Sequence, residues 1–233
     1  MIKLQKKLIE IPVDIMKNII IEPTIEFNEG IKIVSKDESN VCMCIFNLPK
    51  SKFITYELDT PQKFKINLEL FDKVLNRIKT ENIILEFENN QLLISDEKNK
   101  KKYNLSVLYD EPSEIAIPEL TLNTGIKMKT KEFQDLILDI SIVSDACKIE
   151  THQGFFNISG GEQNKYNYEL EDISSGTGKT CYSTEYLNKF MTTSKYFEDM
   201  TFEFSSDDPC KLSFKNEDLE IQFILAARIS DDY

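Results

Sequence analysis

The chain has 233 residues, of which 41% are hydrophobic, with 15 Phe and 9 Tyr and a formal net charge of −12. That aromatic content separates it from acidic disordered chains, which have too little apolar surface to fold. Its length allows one large domain or two of about 115 residues, and no apolar run reaches the roughly 18 residues a membrane span requires.

The start, Met1-Ile-Lys-Leu-Gln-Lys-Lys7, has neither a long apolar core nor a small-residue cleavage site, so no secretory signal is expected. A first helix is expected from about Pro12 to Ile20. Ile25-Glu-Phe27 and Gly30-Ile-Lys-Ile33 then read as two strands around a tight glycine turn. Val41-Cys-Met-Cys-Ile-Phe46 reads as a strand that points Cys42 and Cys44 to one face. With Cys147, Cys181 and Cys210 the cysteines number five and are scattered, and the only histidine is His152. They read as buried, reduced thiols of an intracellular protein rather than as zinc ligands.

Leu70, Phe71, Val74, Leu75 and Ile78 form one face of a second helix. Strands Ile83–Glu88 and Gln91–Ile94 follow, joined by an Asn89-Asn90 turn. Residues 108–120 then break the pattern with two prolines, four acids and no period of 2 or 3.6. This segment reads as an extended connector. It divides the chain into an N-terminal domain, 1–107, the connector, 108–120, and a C-terminal domain, 121–233.

The second half repeats the first. A helix is expected over Lys131–Val143, then a strand, a turn at Gly154 and a strand to Asn157. Another helix opens at Ser183-Thr-Glu-Tyr-Leu187, followed by strand Met200–Phe204, turn Ser205–Pro209 and strand Lys211–Phe214. Lys189 lies 116 positions after Lys73, and Phe204 lies 117 after Phe87. Each half therefore reads helix, strands, helix, strands. The fold class expected is α+β, with antiparallel sheets and helices on one face.

No residue set carries catalytic chemistry. Ser175-Gly-Thr-Gly-Lys-Thr180 ends like a phosphate-binding loop, but Ile173 stands where a glycine is needed and Glu169-Leu-Glu-Asp172 leads in instead of an apolar strand. It reads as a flexible loop. His152 reads as a solvated turn residue with no base or nucleophile at a useful spacing. Asp207-Asp208 and Asp231-Asp232 read as turn and tail charges. No catalytic residue, metal or cofactor is expected.

Several stretches, in order along nearly the whole chain, resemble sliding clamps of the proliferating-cell-nuclear-antigen type, especially the archaeal ones. They are Asn28-Glu-Gly-Ile-Lys-Ile33 with Ser35-Lys-Asp-Glu-Ser-Asn-Val41, Phe71-Asp-Lys-Val-Leu75, Ile117-Pro-Glu119, Phe133 through Ser141, Ser159-Gly-Gly-Glu162, Tyr182-Ser-Thr-Glu-Tyr-Leu187, Asp208-Pro-Cys-Lys-Leu212 and Ile224-Leu-Ala-Ala-Arg-Ile229. The resemblance implies a DNA clamp fold. Two similar domains per chain would put antiparallel sheets outside and two helices each along the hole of a trimeric ring.

The resemblance also implies surfaces. Edge strands near Lys102–Val107 and Lys165–Leu170 would join subunits, through Tyr103, Leu105 and Val107 on one side and Tyr166, Tyr168 and Leu170 on the other. Lys17, Lys73, Arg77, Lys79, Lys189 and Lys195 would face double-stranded DNA. Few, weak phosphate contacts suit sliding. Asp135 and Asp139 stand where the family usually has basic residues. A pocket of Asn40, Val41, Met43, Ile115, Ile117, Pro118, Ile224, Leu225, Ala226 and Ala227 would take short peptide motifs of DNA polymerase, clamp loader, nuclease and ligase. Ala227 replaces the usual proline, and Asn40 stands where eukaryotic relatives carry histidine. The expected function is a non-enzymatic processivity factor with no membrane association, in the cytoplasm and nucleoid of an archaeon or the nucleus of a eukaryote. A checkpoint-type clamp subunit and an acidic DNA-mimic inhibitor are the alternatives.

Overall fold

The computed structural model describes residues 1–109, 115–152, 154–171 and 174–228. The connector stretch 110–114, Ile173, Ile229 and the Asp231-Asp232 pair lie outside the described residues. Two compact units are present. The first comprises Met1–Asn40, Cys44–Ile117 and Glu217–Ile221; the second comprises Val41–Met43, Pro118–Asn216 and the run from Gln222.

In chain order the first unit is built from β1 (Ile2–Gln5), α1 (Lys7–Met16), β2 (Thr24–Phe27), β3 (Gly30–Lys36), β4 (Cys42–Pro49), β5 (Thr55–Tyr56), β6 (Gln62–Lys65), α2 (Leu68–Arg77), β7 (Asn82–Glu88), β8 (Gln91–Asp96) and β9 (Lys102–Ser106). One sheet has the order β5-β1-β7-β8-β9, and a second run has the order β6-β2-β3-β4. The register is fixed by turns whose chemistry is visible in the sequence. Asn89 and Asn90 both have positive φ, 49° and 60°, so the two-residue turn sets Glu88 opposite Gln91. Gly30 has φ 136°, and a Cβ there would sit 2.1 Å from the Leu48 carbonyl oxygen. Only glycine fits.

The first helix starts earlier than expected and ends earlier, at Met16 rather than Ile20. Pro12 lies inside it, buried. Apolar packing of Leu8, Ile9 and Val13, all nearly inaccessible, outweighs the loss of one helical hydrogen bond at the proline. Residues 17–20 form a turn instead, with the amides of Ile19 and Ile20 both donating to the Met16 carbonyl. Asn67 caps α2 by accepting from the Leu70 amide at 2.9 Å. At the other end of α2, Lys6 Nζ donates to the carbonyls of Leu75 and Ile78, satisfying groups that the helix end leaves open.

The second unit runs β10 (Thr124–Lys129), α3 (Thr130–Val143), β11 (Ala146–His152), β12 (Phe155–Gly160), β13 (Tyr166–Leu170), β14 (Ser174–Ser175), β15 (Gly178–Ser183), α4 (Thr184–Phe190), β16 (Asp199–Phe204), β17 (Cys210–Lys215) and β18 (Glu220–Leu225). Its sheets have the orders β13-β12-β11-β15 and β14-β10-β16-β17-β18. A one-turn helix over Met191–Lys195 continues α4. The repeat is thus fuller than the sequence suggests, because a strand precedes the first helix of each unit. Residues 178–183 form β15 rather than a loop. Thr180 and Tyr182 of that strand point into the core, and this burial organises the segment.

Both units are α+β, with antiparallel ladders and helix pairs. The cores are rich in phenylalanine. Phe27, Phe64 and Phe87 cluster in the first; Phe190 stacks on Phe223 at 4.4 Å in the second. All five cysteines are buried. Burial pushes the thiols of Cys147, Cys181 and Cys210 above their ordinary range, so they are held as unreactive neutral thiols. Among the described residues, no helix is long and apolar enough to cross a membrane.

Candidate functional site

The helices carry the cations expected to face DNA, and their surroundings differ. In the first unit α1 packs on α2. Lys17, just beyond α1, lies 2.7 Å from both Asp14 Oδ1 and Asp72 Oδ2. Burial alone would lower its pKa, but the two carboxylates outweigh it and the pKa is raised. Its charge is consumed internally, so Lys17 does not offer a free cation. Lys73 pairs with Glu69 at 2.6 Å, but both side chains are about two-thirds exposed. Such a pair is weak and can exchange partners. Arg77 and Lys79 are exposed at the end of α2, and neither pairs with a carboxylate among the described residues.

In the second unit Lys189 pairs with Glu185 at 2.7 Å and lies over the Tyr186 ring. Lys195 is exposed in the turn that follows. On α3, Asp135 is paired with Lys131 at 3.2 Å. Asp139 accepts a hydrogen bond from the Tyr166 hydroxyl of β13. Asp135 and Asp139 therefore have local partners.

The residues expected in the peptide pocket fall into two groups. In the second unit the Ala226 amide donates to the Val41 carbonyl at 2.9 Å, which joins the C-terminal run to the Val41–Met43 segment. Val41, Ala226 and Ala227 remain partly accessible, whereas Met43, Ile224 and especially Leu225 are buried. Leu225 can support a pocket from below but cannot touch a peptide. Pro118 is exposed. In the first unit, Ile115 and Ile117 border a groove of about 410 Å³ with Thr24, Glu26, Lys32 and Lys63. Ile117 is 46% exposed. Asn40, also exposed, is in a left-handed conformation with φ 56°, a role asparagine fills well in turns.

The strands expected at subunit contacts are sheet edges. Among the described residues, β9 pairs only with β8, and β13 only with β12. Each leaves one row of backbone donors and acceptors unpaired within the chain, an arrangement that invites a further strand. On β9, Tyr103 is half-buried, while Leu105 and, just beyond, Val107 are turned into the core. On β13, Tyr166, Tyr168 and Leu170 share one half-buried face.

Residues 3–111 match the family model described as "Proliferating cell nuclear antigen, N-terminal domain". The DNA polymerase sliding clamp of Nitrosopumilus maritimus is 32% identical over 216 residues, which cover 86% of each chain. The chain belongs to the DNA polymerase sliding clamp family. Solved structures agree on the fold. The proliferating cellular nuclear antigen of Entamoeba histolytica superposes with a TM-score of 0.89 at 19% identity, covering 98% of each chain. The A. fulgidus PCNA, solved with the C-terminal region of FEN-1 bound, gives 0.87 at 21% identity over the whole of both chains.

Some features of this sliding clamp chain were not singled out in the sequence. Leu138 and Ile142 are 47% and 81% exposed on α3, one turn apart beside β13. Their signal was available, because the helix has more apolar residues than one buried face needs. The run Lys98-Asn-Lys-Lys-Lys102 in the β8–β9 turn is fully exposed. The remaining motifs fit the clamp as structural elements. Lys179 lies within strand β15 with Glu150 3.8 Å away, not at the start of a helix whose amides could hold a phosphate. His152 is exposed at the end of β11. Among the described residues, no group of three His, Cys, Asp or Glu is placed to hold a metal.

Proposed function

We propose that this chain is one subunit of a ring that encircles duplex DNA and tethers a replicative polymerase and other replication and repair proteins. The observation that carries the reading is the repeated build. Each unit pairs two helices with antiparallel sheets and ends one sheet in an unpaired strand, β9 or β13. Such an edge on each unit suits a closed cyclic assembly, in which the edge of one copy is covered by the next.

On this reading Arg77 and Lys79, with Lys73, Lys189 and Lys195, meet the phosphates. Their small number leaves binding weak and sequence-independent, as movement along DNA requires. Partner peptides dock through Ile115, Ile117 and Pro118 of the connector and Val41, Met43, Asn40 and the Ile224–Ala227 run. The protein supplies attachment rather than chemistry, acting as a non-enzymatic processivity factor. It works in the compartment that holds the DNA, the nucleoid of an archaeon or the nucleus of a eukaryote.

The test is primer extension on a singly primed circle with a cognate polymerase and clamp loader. Longer products in a single binding event are expected when the chain is present. Retention on nicked circular DNA with release on linearisation is the second expected result. Equal retention on linear and circular DNA overturns the ring.

A further inference from the structure

The sheet β13-β12-β11-β15 has two faces of opposite character. Ile149, Thr151, Phe156 and Ile158 turn one face toward α3, and all four are buried. Side chains alternate along a strand, so Glu150, His152, Phe155, Asn157 and Glu169 turn the other way. These five border a groove of about 440 Å³ on the face away from the helix. The register places them. Glu150 stands opposite Asn157, and Asn157 opposite Glu169, so one row crosses β11, β12 and β13. His152 stands opposite Phe155 in the next row of that face.

The lining combines an aromatic ring with hydrogen-bond acceptors. Phe155 is 40% exposed, and it alone of the 15 phenylalanines is exposed. Aromatic rings are enriched at binding surfaces. Glu169 is exposed and pairs with no cation among the described residues. Glu150 has Lys179 at 3.8 Å, with both side chains about half exposed, a pair weak enough to exchange. Asn157 Nδ2 donates to Asn167 Oδ1 at 2.8 Å, and its own Oδ1 meets no donor among the described residues. Three strands thus present carboxylate, amide oxygen and carboxylate in a row beside an aromatic ring. A ligand that fits supplies donors, positive charge and a flat surface. The guanidinium of arginine has all three. A metal ion does not fit, because among the described residues no group of three His, Cys, Asp or Glu is placed to hold one. Nucleic acid does not fit either, because its phosphates would meet two carboxylates.

We propose that this groove is a docking site for an arginine side chain carried on a basic segment of a partner protein. The guanidinium lies over Asn157, between Glu150 and Glu169, whose strands are two sheet spacings or about 10 Å apart, and packs against Phe155. Charge complementarity selects a basic partner. The groove opens on a sheet face, so a small free cation keeps much of its hydration there. A side chain held by a longer segment gains further contacts along the sheet and binds more tightly. Lys179 competes for Glu150 and tempers the site. Because α3 occupies the opposite face of the sheet, a basic partner in the groove leaves the helix faces open to DNA. The proposal stands on this face alone and depends neither on the ring nor on the Ile117 groove.

Fluorescence anisotropy on the full chain tests it, with a labelled short peptide of glycine, serine and two arginines as the probe. The same peptide with lysine, and with citrulline as the uncharged isostere, are the comparisons. The arginine peptide is expected to bind, the lysine peptide several-fold more weakly, and the citrulline peptide at least about tenfold more weakly. Glu150→Gln combined with Glu169→Gln is expected to weaken the arginine peptide by about tenfold or more. Phe155→Ala is expected to weaken it by about fivefold, with Phe155→Tyr close to wild type. Lys179→Gln is expected to tighten it by about two- to threefold. Glu86→Gln combined with Glu88→Gln, which removes the same charge from exposed positions of β7, is expected to change nothing. Circular dichroism establishes that each variant is folded. Equal binding of arginine and citrulline peptides overturns the proposal, as does full binding by the folded Glu150 and Glu169 variant. An equal loss in the Glu86 and Glu88 variant assigns the binding to the net charge of −12 and overturns it too. Lysine matching arginine removes the guanidinium from the proposal. Free argininamide that binds as tightly as the peptide overturns the protein partner and leaves a site for a small cation.

Discussion

Lys17 Nζ lies 2.7 Å from Asp72 Oδ2, tying the end of α1 to the buried side of α2. The other oxygen, Asp72 Oδ1, is buried without a hydrogen-bond partner, so the carboxylate depends on this one lysine. Removing the lysine leaves a nearly buried charge alone. Lys17→Met is expected to destabilise the chain by about 1–3 kcal/mol, read as a fall in the denaturant midpoint. Lys73→Met, which breaks an exposed pair, is expected to change stability by less than about 0.5 kcal/mol. Equal effects of the two would remove the distinction drawn between them.

The same contrast sets an expectation for DNA. Arg77→Glu combined with Lys79→Glu is expected to weaken loading on nicked circular DNA. The dependence of log affinity on log salt should become shallower by about 0.9 for each phosphate that is no longer neutralised. Lys17→Gln, once corrected for stability, is expected to leave the salt dependence unchanged. Measuring clamp retained on bead-linked circles across a salt series checks both statements.

Ile117 is 46% exposed in the connector and borders the groove of the first unit. Ile117→Asp is expected to weaken binding of a fluorescent partner peptide by about tenfold or more, roughly 1.4 kcal/mol. Ala227→Pro is expected to tighten it by a few-fold, about 0.5–1 kcal/mol, by fixing the backbone at that position before binding. Its neighbour Ala226 keeps its amide bond to Val41 in that variant. Unaltered binding by both would move the peptide site elsewhere.

Tyr182 sets an alkaline limit. Its hydroxyl donates to the Asp208 carbonyl at 2.8 Å, and burial pushes its pKa far above the ordinary value of 10.0. A raised folded-state pKa means that the neutral form stabilises the fold. The contribution is complete below the unfolded-state pKa and declines as pH rises above it. Unfolding midpoints should therefore fall above about pH 10, after an earlier decline from the buried thiols of Cys147 and Cys210, which start from 9.0. Tyr182→Phe is expected to lose about 1 kcal/mol at neutral pH and to show a shallower decline above pH 10. An identical alkaline profile for both proteins would rule out this residue as a cause.

The elements and their repetition were legible in the sequence because they rest on local chemistry. The period of Phe71, Val74, Leu75 and Ile78 defines α2, Asn89-Asn90 defines a hairpin, and Gly30 marks a turn that no other residue fits. The ordered family resemblance then supplied fold and function together. Tertiary contacts decided what local pattern cannot express. Pro12 lies within α1 because Leu8 and Val13 are buried on both sides of it. Lys179 lies on a strand because Thr180 and Tyr182 face the core. The value of each cation was also set at this level. Lys17 and Arg77 look alike in the sequence, yet one is bound between two carboxylates and the other is open to solvent. A charge acts according to its distance from other charges and from water, and only folding fixes those distances.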